Sequence, residues 1–189
     1  MKSVLISIRP KWCSGIIPGE KTVEVRKNKP MLDTPFKCYI YCTKDYSLGE
    51  FYASDIFDVP SQGKVIGEFV CDKVVRFEND IYDEVFRETS YRACVPMDDL
   101  MIYLGRKDYG YGWHISDLVI YDEPKGLSEF VSLCKAFSIP YKCCGCEYYF
   151  VESNEDSVYE QCNCDTFKPL KKPPQSWCYV YPRLRKETE

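Results

Sequence analysis

The sequence contains little histidine and no long hydrophobic run. Its single histidine, His114, has no matched nucleophile, so it does not indicate a histidine-dependent catalytic site. The longest apolar run near the first residue, "VLISI", is far too short for the core of a signal peptide or for a membrane span. We therefore expect a cytoplasmic protein that makes no membrane contact.

Internal repeats and low-complexity segments are also absent, so nothing indicates a repeat architecture. The 189 residues are 45% hydrophobic and 29% charged, which is typical of a globular protein. Sixteen tyrosines and ten phenylalanines favour strands over a helical bundle. This length suits one domain with a sizeable core and a small appendage.

Apolar and alternating segments predict many strands and a few helices. Because the strands outnumber the helices and do not alternate with them regularly, we expect an α+β fold, with a mixed sheet or small barrel on which helices pack. Gly67 is a candidate bulge or barrel corner, Gly105 a helix stop and Ser128 a helix N-cap. Strands are predicted over residues 3–8, 22–27, 36–43, 63–77, 113–121 and 176–181, and helices around residues 10–17, 80–89, 96–105 and 126–137.

Twelve cysteines in a cytoplasmic chain indicate free thiols or a metal site rather than disulfides. Two thiol pairs bracket a short polar segment, and four thiolates suit a closed, tetrahedral, structural zinc site. The alternative is a flexible loop with reduced thiols. The predicted zinc ligands are Cys143, Cys146, Cys162 and Cys164, with Cys144 as a substitute for one of them.

The cysteine-rich stretch also divides the chain. Residues 141–168 are predicted to be a zinc-binding insertion in one main domain formed by residues 1–140 and 169–189. The acidic segment 44–62 is predicted to be a surface loop.

Charge is distributed unevenly around a net charge of −4. Residues 1–30 carry seven Lys or Arg against two Glu, and residues 168–186 carry six Lys or Arg and no acid. Residues 31–167 hold 12 basic against 25 acidic residues. The two chain ends could therefore form a basic, anion-binding pole, or they could simply be solvated.

A charged row follows the turn in "GEKTVEVRK". Strict alternation predicts a half-buried strand with Val23 and Val25 on one face and Glu24 and Arg26 on the other. Lys21 at its start could serve as base or nucleophile, Arg26 could bind phosphate or a base edge, and Glu24 could relay a proton. The alternative is an ordinary Glu–Arg pair on a solvated face.

Two further segments are candidates for ligand contacts. Arg9 and Lys11 flank the proline at the start of the first helix, an arrangement that suits phosphate unless it is only a solvated turn. In "YGYGWH" flexible glycines would present Tyr109, Tyr111 and Trp113 for stacking on a base. The alternative is that Trp113 and the histidine after it begin a core strand.

Several of these segments, taken in order, resemble ASCH domains of the PUA-like superfamily, as found in bacteria and phages. "ISIRPKW" followed by "IIPGEKTVEVRK" resembles their N-terminal signature, and "GKVIGEFVCDKV", "GYGWHISDLVIYD" and "PPQSWCYV" resemble later segments. The resemblance implies a pseudo-barrel-like mixed sheet with a cleft beside the first helix, in which related domains bind RNA or modified bases. One branch of the family consists of amidohydrolases acting on N4-acylated cytidine. Its working lysine matches Lys21, whereas its threonine stands where this chain has Glu24.

The sequence thus predicts an RNA- or nucleotide-binding protein whose ligand lies between the first helix and the "GEKTVEVRK" strand. Ligand contacts are predicted at Arg9, Lys11, Lys21, Glu24, Arg26, Tyr111 and Trp113. One alternative is an amidohydrolase or ribonuclease acting on modified nucleosides or RNA, with Lys21 and Glu24 as catalytic residues. Another is a protein-interaction module whose acidic middle binds a basic partner.

Overall fold

The computed structural model describes residues 3–44, 62–133 and 167–182. The predicted loop at 44–62 lies almost entirely outside the described residues. The zinc ligands predicted at Cys143, Cys146, Cys162 and Cys164, and Cys144 beside them, lie outside as well. Within the described residues no helix combines the length and the apolar character needed to cross a bilayer.

The described residues form ten strands, three helices and one short 3-10 turn at Leu127–Glu129. The strands are β1 (Ser3–Ile8), β2 (Val23–Arg26), β3 (Phe36–Cys42), β4 (Val65–Cys71), β5 (Val74–Glu78), β6 (Tyr109–His114), β7 (Ser116–Lys125), β8 (Phe130–Leu133), β9 (Phe167–Pro169) and β10 (Trp177–Pro182). The helices are α1 (Pro10–Ile16), α2 (Glu84–Arg92) and α3 (Met97–Leu104).

The strands belong to two sheets. A seven-stranded sheet has the order β7-β4-β3-β1-β10-β8-β9, and a three-stranded sheet has the order β2-β6-β5. β1 runs parallel to β3 and antiparallel to β10, so the large sheet is mixed. The predicted α+β fold with a mixed sheet is confirmed, and the described strands form two open sheets rather than a closed barrel.

Each face of the small sheet has its own packing partner. Val23, Val25 and Phe77 pack with Phe86 of α2 and Leu100 of α3. The opposite face contributes to the central core against the large sheet. That core includes Val4, Ile6, Ile8, Phe36, Ile40, Phe69 and Trp113. Strand β2 therefore lies between two apolar layers, and no face of it is left to water.

Two predicted strands are each split in two by a change of sheet. The segment 63–77 forms β4 in the large sheet and β5 in the small sheet, separated by Asp72 and Lys73. The segment that begins at Tyr109 passes from β6 to β7 at Ile115. The two points at which the chain changes sheet are close together. The amide of His114 at one of them donates to the Lys73 carbonyl at the other, at 2.9 Å.

The prediction for Gly67 is confirmed, whereas the helix predicted over residues 126–137 is wrong for its described part, residues 126–133. The register between β4 and β7 shifts between Val65 and Gly67. Residues 126–133 instead form the 3-10 turn and strand β8, which pairs with β10 and β9. Gly126, not Ser128, precedes the turn. Pairing with distant strands outweighs the helical spacing of this segment.

Candidate functional site

The charged row of β2 is buried, which corrects the expectation of a half-buried strand. Lys21 is 2% exposed, Glu24 6% and Arg26 8%. Alternation along the strand assigned Glu24 and Arg26 correctly to one face. That face packs against the large sheet, because the helices α2 and α3 already cover the valine face.

Glu24 lies between the two cations. Its Oε2 is 3.3 Å from Lys21 Nζ, and its Oε1 is 2.9 Å from Arg26 Nη2. We call Lys21, Glu24 and Arg26 the buried triad. Two cations share one carboxylate, so the buried triad carries a formal charge of +1. Desolvating three charges is costly and is offset only when their hydrogen bonds are satisfied.

The ammonium group of Lys21 makes three polar contacts. Besides Glu24, its Nζ donates to the carbonyls of Val23 at 2.9 Å and Ala93 at 2.7 Å. Its backbone amide donates to the carbonyl of Gly15 in α1. Lys21 therefore lies inside the protein, where it links α1 and β2 to the end of α2.

Arg26 connects the two sheets. Its Nη2 donates to the Ser7 carbonyl at 2.7 Å, and its Nη1 lies 3.4 Å from the Ser176 hydroxyl. Ser7 belongs to β1, and Ser176 immediately precedes β10. The guanidinium Nε is buried and has no hydrogen-bond partner among the described residues.

Trp113 is completely buried, at 0% exposure. Its ring lies edge-on to Phe36 at 5.7 Å between centroids and 6.0 Å from the ring of Trp177. The prediction that Trp113 offers a stacking face is therefore wrong for this conformation, because the ring is part of the core. Its indole Nε1 is the second buried donor of the site that has no partner among the described residues.

The glycines of "YGYGWH" do not form a flexible loop. A Cβ on Gly110 would lie 2.6 Å from Phe77 Cζ, and one on Gly112 would lie 3.1 Å from Val23 Cγ1. Glycine is required here because the core beneath the helices approaches the strand closely. Tyr109 and Tyr111 are partly buried and lie edge-on to each other, and Tyr111 is the strand partner of Arg26.

Exposed cations lie at the start of α1. Arg9 and Lys11 are both exposed. Lys11 Nζ is 4.6 Å from the centre of the Trp12 ring, and the buried Lys21 Nζ is 5.6 Å from the same ring. Trp12 therefore separates an exposed cation from the buried triad. The sequence analysis did not identify Trp12, although it directly follows Lys11 in "RPKW".

The two basic chain ends lie side by side. Strand β1 pairs with β10, and the Ser7 hydroxyl donates to the Pro174 carbonyl at 2.7 Å. Lys171 and Lys172 are exposed just before this contact. This placement supports the interpretation of the two ends as a basic pole. Nothing in the sequence pattern indicated that Ser7 and Ser176 would contact Arg26.

Cys13 and Cys38, two thiols near Glu24 of the buried triad, are not poised as nucleophiles. Burial, more than the nearby Glu24, raises the pKa of Cys38 well above its ordinary value. A hydrogen bond with Cys42 and burial both raise the pKa of Cys13. Both thiols therefore stay protonated. In the described parts of the chain, no three His, Cys, Asp or Glu side chains form a group that could hold a metal ion.

Comparison with known proteins gives structural neighbours only. No family model and no curated protein match the chain. The ASCH protein of Zymomonas mobilis has a TM-score of 0.54 at 18% identity, with 98% of this chain and 89% of that chain covered. Its tyrosine-to-phenylalanine variant has a TM-score of 0.51 at 18% identity, with 67% of this chain and 77% of that chain covered. Its serine-to-alanine variant has a TM-score of 0.51 at 18% identity, with 66% of this chain and 74% of that chain covered.

Sequence identity of 18% is too low to transfer an activity, so the likeness concerns the fold. The matched architecture agrees with the fold that the N-terminal signature predicts. The chain has the fold of an ASCH-type domain.

Proposed function

We propose that this protein binds RNA or a nucleotide-like ligand at the surface beside α1 and β2. The observation that carries the proposal is the buried triad, in which two cations share one carboxylate. An excess positive charge in a desolvated position attracts an anion more strongly than the same charge in water. The ASCH-type fold supports the proposal, since the resemblance to that family implies RNA binding.

The exposed cations would make the first contacts with the ligand. Arg9 and Lys11 stand at the start of α1, with Trp12 between them and the buried triad. Such side chains bind phosphates without reading the sequence. Tyr111, next to Arg26 across the sheet, is the aromatic side chain that remains for contact with a base.

Binding is a better interpretation than catalysis by Lys21 and Glu24. The Lys21 ammonium donates to two backbone carbonyls and forms an ion pair with Glu24, and both oxygens of Glu24 contact cations. Neither group is available to take a proton from a substrate in this arrangement. The buried triad instead holds Arg26 between the two sheets and supplies the positive field.

The test is fluorescence anisotropy of short labelled RNA and DNA, single- and double-stranded, at two salt concentrations. Replacing two phosphate-binding cations should weaken binding and reduce the salt slope by about 2. The variant is Arg9→Gln with Lys11→Gln. The matched control is Arg106→Gln with Lys107→Gln, which removes two exposed cations from the segment that follows α3. The control should bind like the unchanged protein.

Three outcomes would count against the proposal. One is no binding tighter than about 100 μM at low salt, since even non-specific association falls in or below that range. Another is an equal effect of the two double variants. The third is release of product from N4-acylated cytidine or from labelled RNA, which would make the protein an enzyme. A pull-down that returns a basic protein and no RNA would favour an interaction module.

A further inference from the structure

Two buried donors of the site lack partners, and they lie on the same face of the small sheet. Trp113 pairs directly with Glu24, and Arg26 is two residues further along β2. Arg26 and Trp113 are therefore diagonal neighbours, within reach of each other for long side chains. Arg26 Nε and Trp113 Nε1 have no hydrogen-bond partner among the described residues.

Both side chains lie near residues at the start of β10. The Arg26 guanidinium contacts the Ser176 hydroxyl, and the Trp113 ring packs near the next residue, Trp177. A buried N–H without an acceptor costs free energy, so native proteins rarely leave one unpaired. Two such donors on one face of the small sheet point to an acceptor that is bound there in the functional state.

The charges around the donors select an anionic acceptor over a neutral carbonyl. The buried triad carries an excess positive charge, and hydrogen bonds from an arginine to an oxyanion are charge-assisted. Lys171 and Lys172 are exposed a few residues before Ser176, and Arg9 is exposed just after β1. The charged groups with described contacts to Arg26 include only one carboxylate, that of Glu24.

We propose that Arg26 Nε and Trp113 Nε1 together bind one oxygen of a phosphate-type oxyanion. Both nitrogens are shielded from solvent, so the oxyanion enters by displacing the Ser176 hydroxyl. At 3.4 Å that contact is the longest of the three that Arg26 makes to Ser7, Glu24 and Ser176, and so the easiest to exchange. The inference rests on the proposed function, for which it names the donors that hold the phosphate.

The experiment follows the indole N–H signals of the ¹⁵N-labelled protein by NMR. The chain has three tryptophans, Trp12, Trp113 and Trp177, and so gives three indole signals. Trp113→Phe and Trp177→Phe assign the two signals of interest. Titration with inorganic phosphate and with cytidine 5′-monophosphate should shift the Trp113 signal, and titration with uncharged cytidine should not. A purely structural role of Trp113 predicts no shift with any of these compounds.

Affinity for cytidine 5′-monophosphate, measured by calorimetry, provides a second readout. Trp113→Phe keeps an aromatic ring but removes the donor, and should weaken binding about tenfold or more. Trp177→Phe is the matched control and should bind like the unchanged protein, since the Trp177 indole is not among the unpaired buried donors. Circular dichroism confirms that each variant is folded. If Trp113→Phe does not fold, Trp12→Phe and Trp177→Phe assign the Trp113 signal by elimination, and the NMR titration of the unchanged protein decides.

Two results would overturn the inference. If the protein binds RNA while the Trp113 signal stays unshifted, the proposed function holds, but these two donors do not bind the phosphate. If the Trp113 signal shifts as far with cytidine as with cytidine 5′-monophosphate, the donors bind a carbonyl of the base and not the phosphate. Failure of every RNA and nucleotide probe in the anisotropy assay would remove the proposed function itself.

Discussion

At the scale of single residues, the buried triad shows how sequence pattern and structure differ. The alternation in "TVEVRK" assigned Glu24 and Arg26 correctly to one face of a strand. It could not show that this face is buried, because a charged face is buried only when distant groups satisfy it. Those groups are the carbonyls of Ser7 and Ala93, which no local pattern encodes. The same limit applies to Trp113, whose burial depends on Phe36 and Trp177.

Removing the carboxylate of the buried triad should destabilise the protein strongly. Glu24→Gln leaves two buried cations without a counter-ion, so we expect a loss of about 3–5 kcal/mol in the free energy of unfolding. Glu78→Gln is the matched control, because Glu78 pairs with Arg76 at 2.7 Å with both side chains about half exposed. That change should cost less than about 1 kcal/mol. Urea denaturation of both variants measures the difference, and equal losses would show that the buried triad is not a structural centre.

At the scale of elements, the N-terminal half of the fold could be predicted well. The bounds of β1, α1 and β3 follow from apolar runs, from Pro10 in the first helical turn and from Gly19 in the turn after α1. The changes of sheet after β4 and β6 could not be predicted, since a strand has the same alternation in either sheet. The residues of β8 were assigned to a helix because their pairing partners β9 and β10 are distant in sequence.

Gly67 is needed where β4 and β7 approach each other. A Cβ there would lie 2.4 Å from the Val119 carbonyl oxygen, which backbone cannot avoid cheaply. We expect Gly67→Ala to cost about 1–3 kcal/mol of stability, as overpacking does in other cores. Gly126→Ala is the control, because its Cβ would meet atoms no closer than 3.6 Å at a φ of −76°. It should change the stability by less than about 0.5 kcal/mol, and thermal unfolding compares the two.

At the scale of the whole molecule, the charge segregation of the sequence has a structural counterpart. The N-terminal and C-terminal basic segments meet where β1 pairs with β10, on the side where Arg26 contacts Ser7 and Ser176. Composition revealed the two basic ends, but only sheet topology brings them together. The net charge of −4 would have argued against an anion-binding role if it had been read without this distribution.

The zinc site predicted for residues 141–168 is a second property of the whole chain that can be tested. We propose one structural zinc ion per chain, held by Cys143, Cys146, Cys162 and Cys164. Elemental analysis after purification without chelator should find about one equivalent, because four thiolates close a tetrahedral site. Cys143→Ser with Cys162→Ser should abolish zinc retention. Cys94→Ser, which changes an exposed free cysteine, should not affect it. Zinc near zero in the unchanged protein would refute the site.

The position of β10 also determines when the protein can fold. β1 lies at the centre of the large sheet, and its partner on one side, through the pair Ser3 and Val180, comes from 177 positions later in the chain. During synthesis β1 can pair only with β3 until those last residues have left the ribosome. Closing so long a loop slows folding, since its entropy is lost before the contacts form. The sheet is therefore expected to be completed only after β10 has left the ribosome, and deletion of β10 would separate β8 and β9 from the other strands.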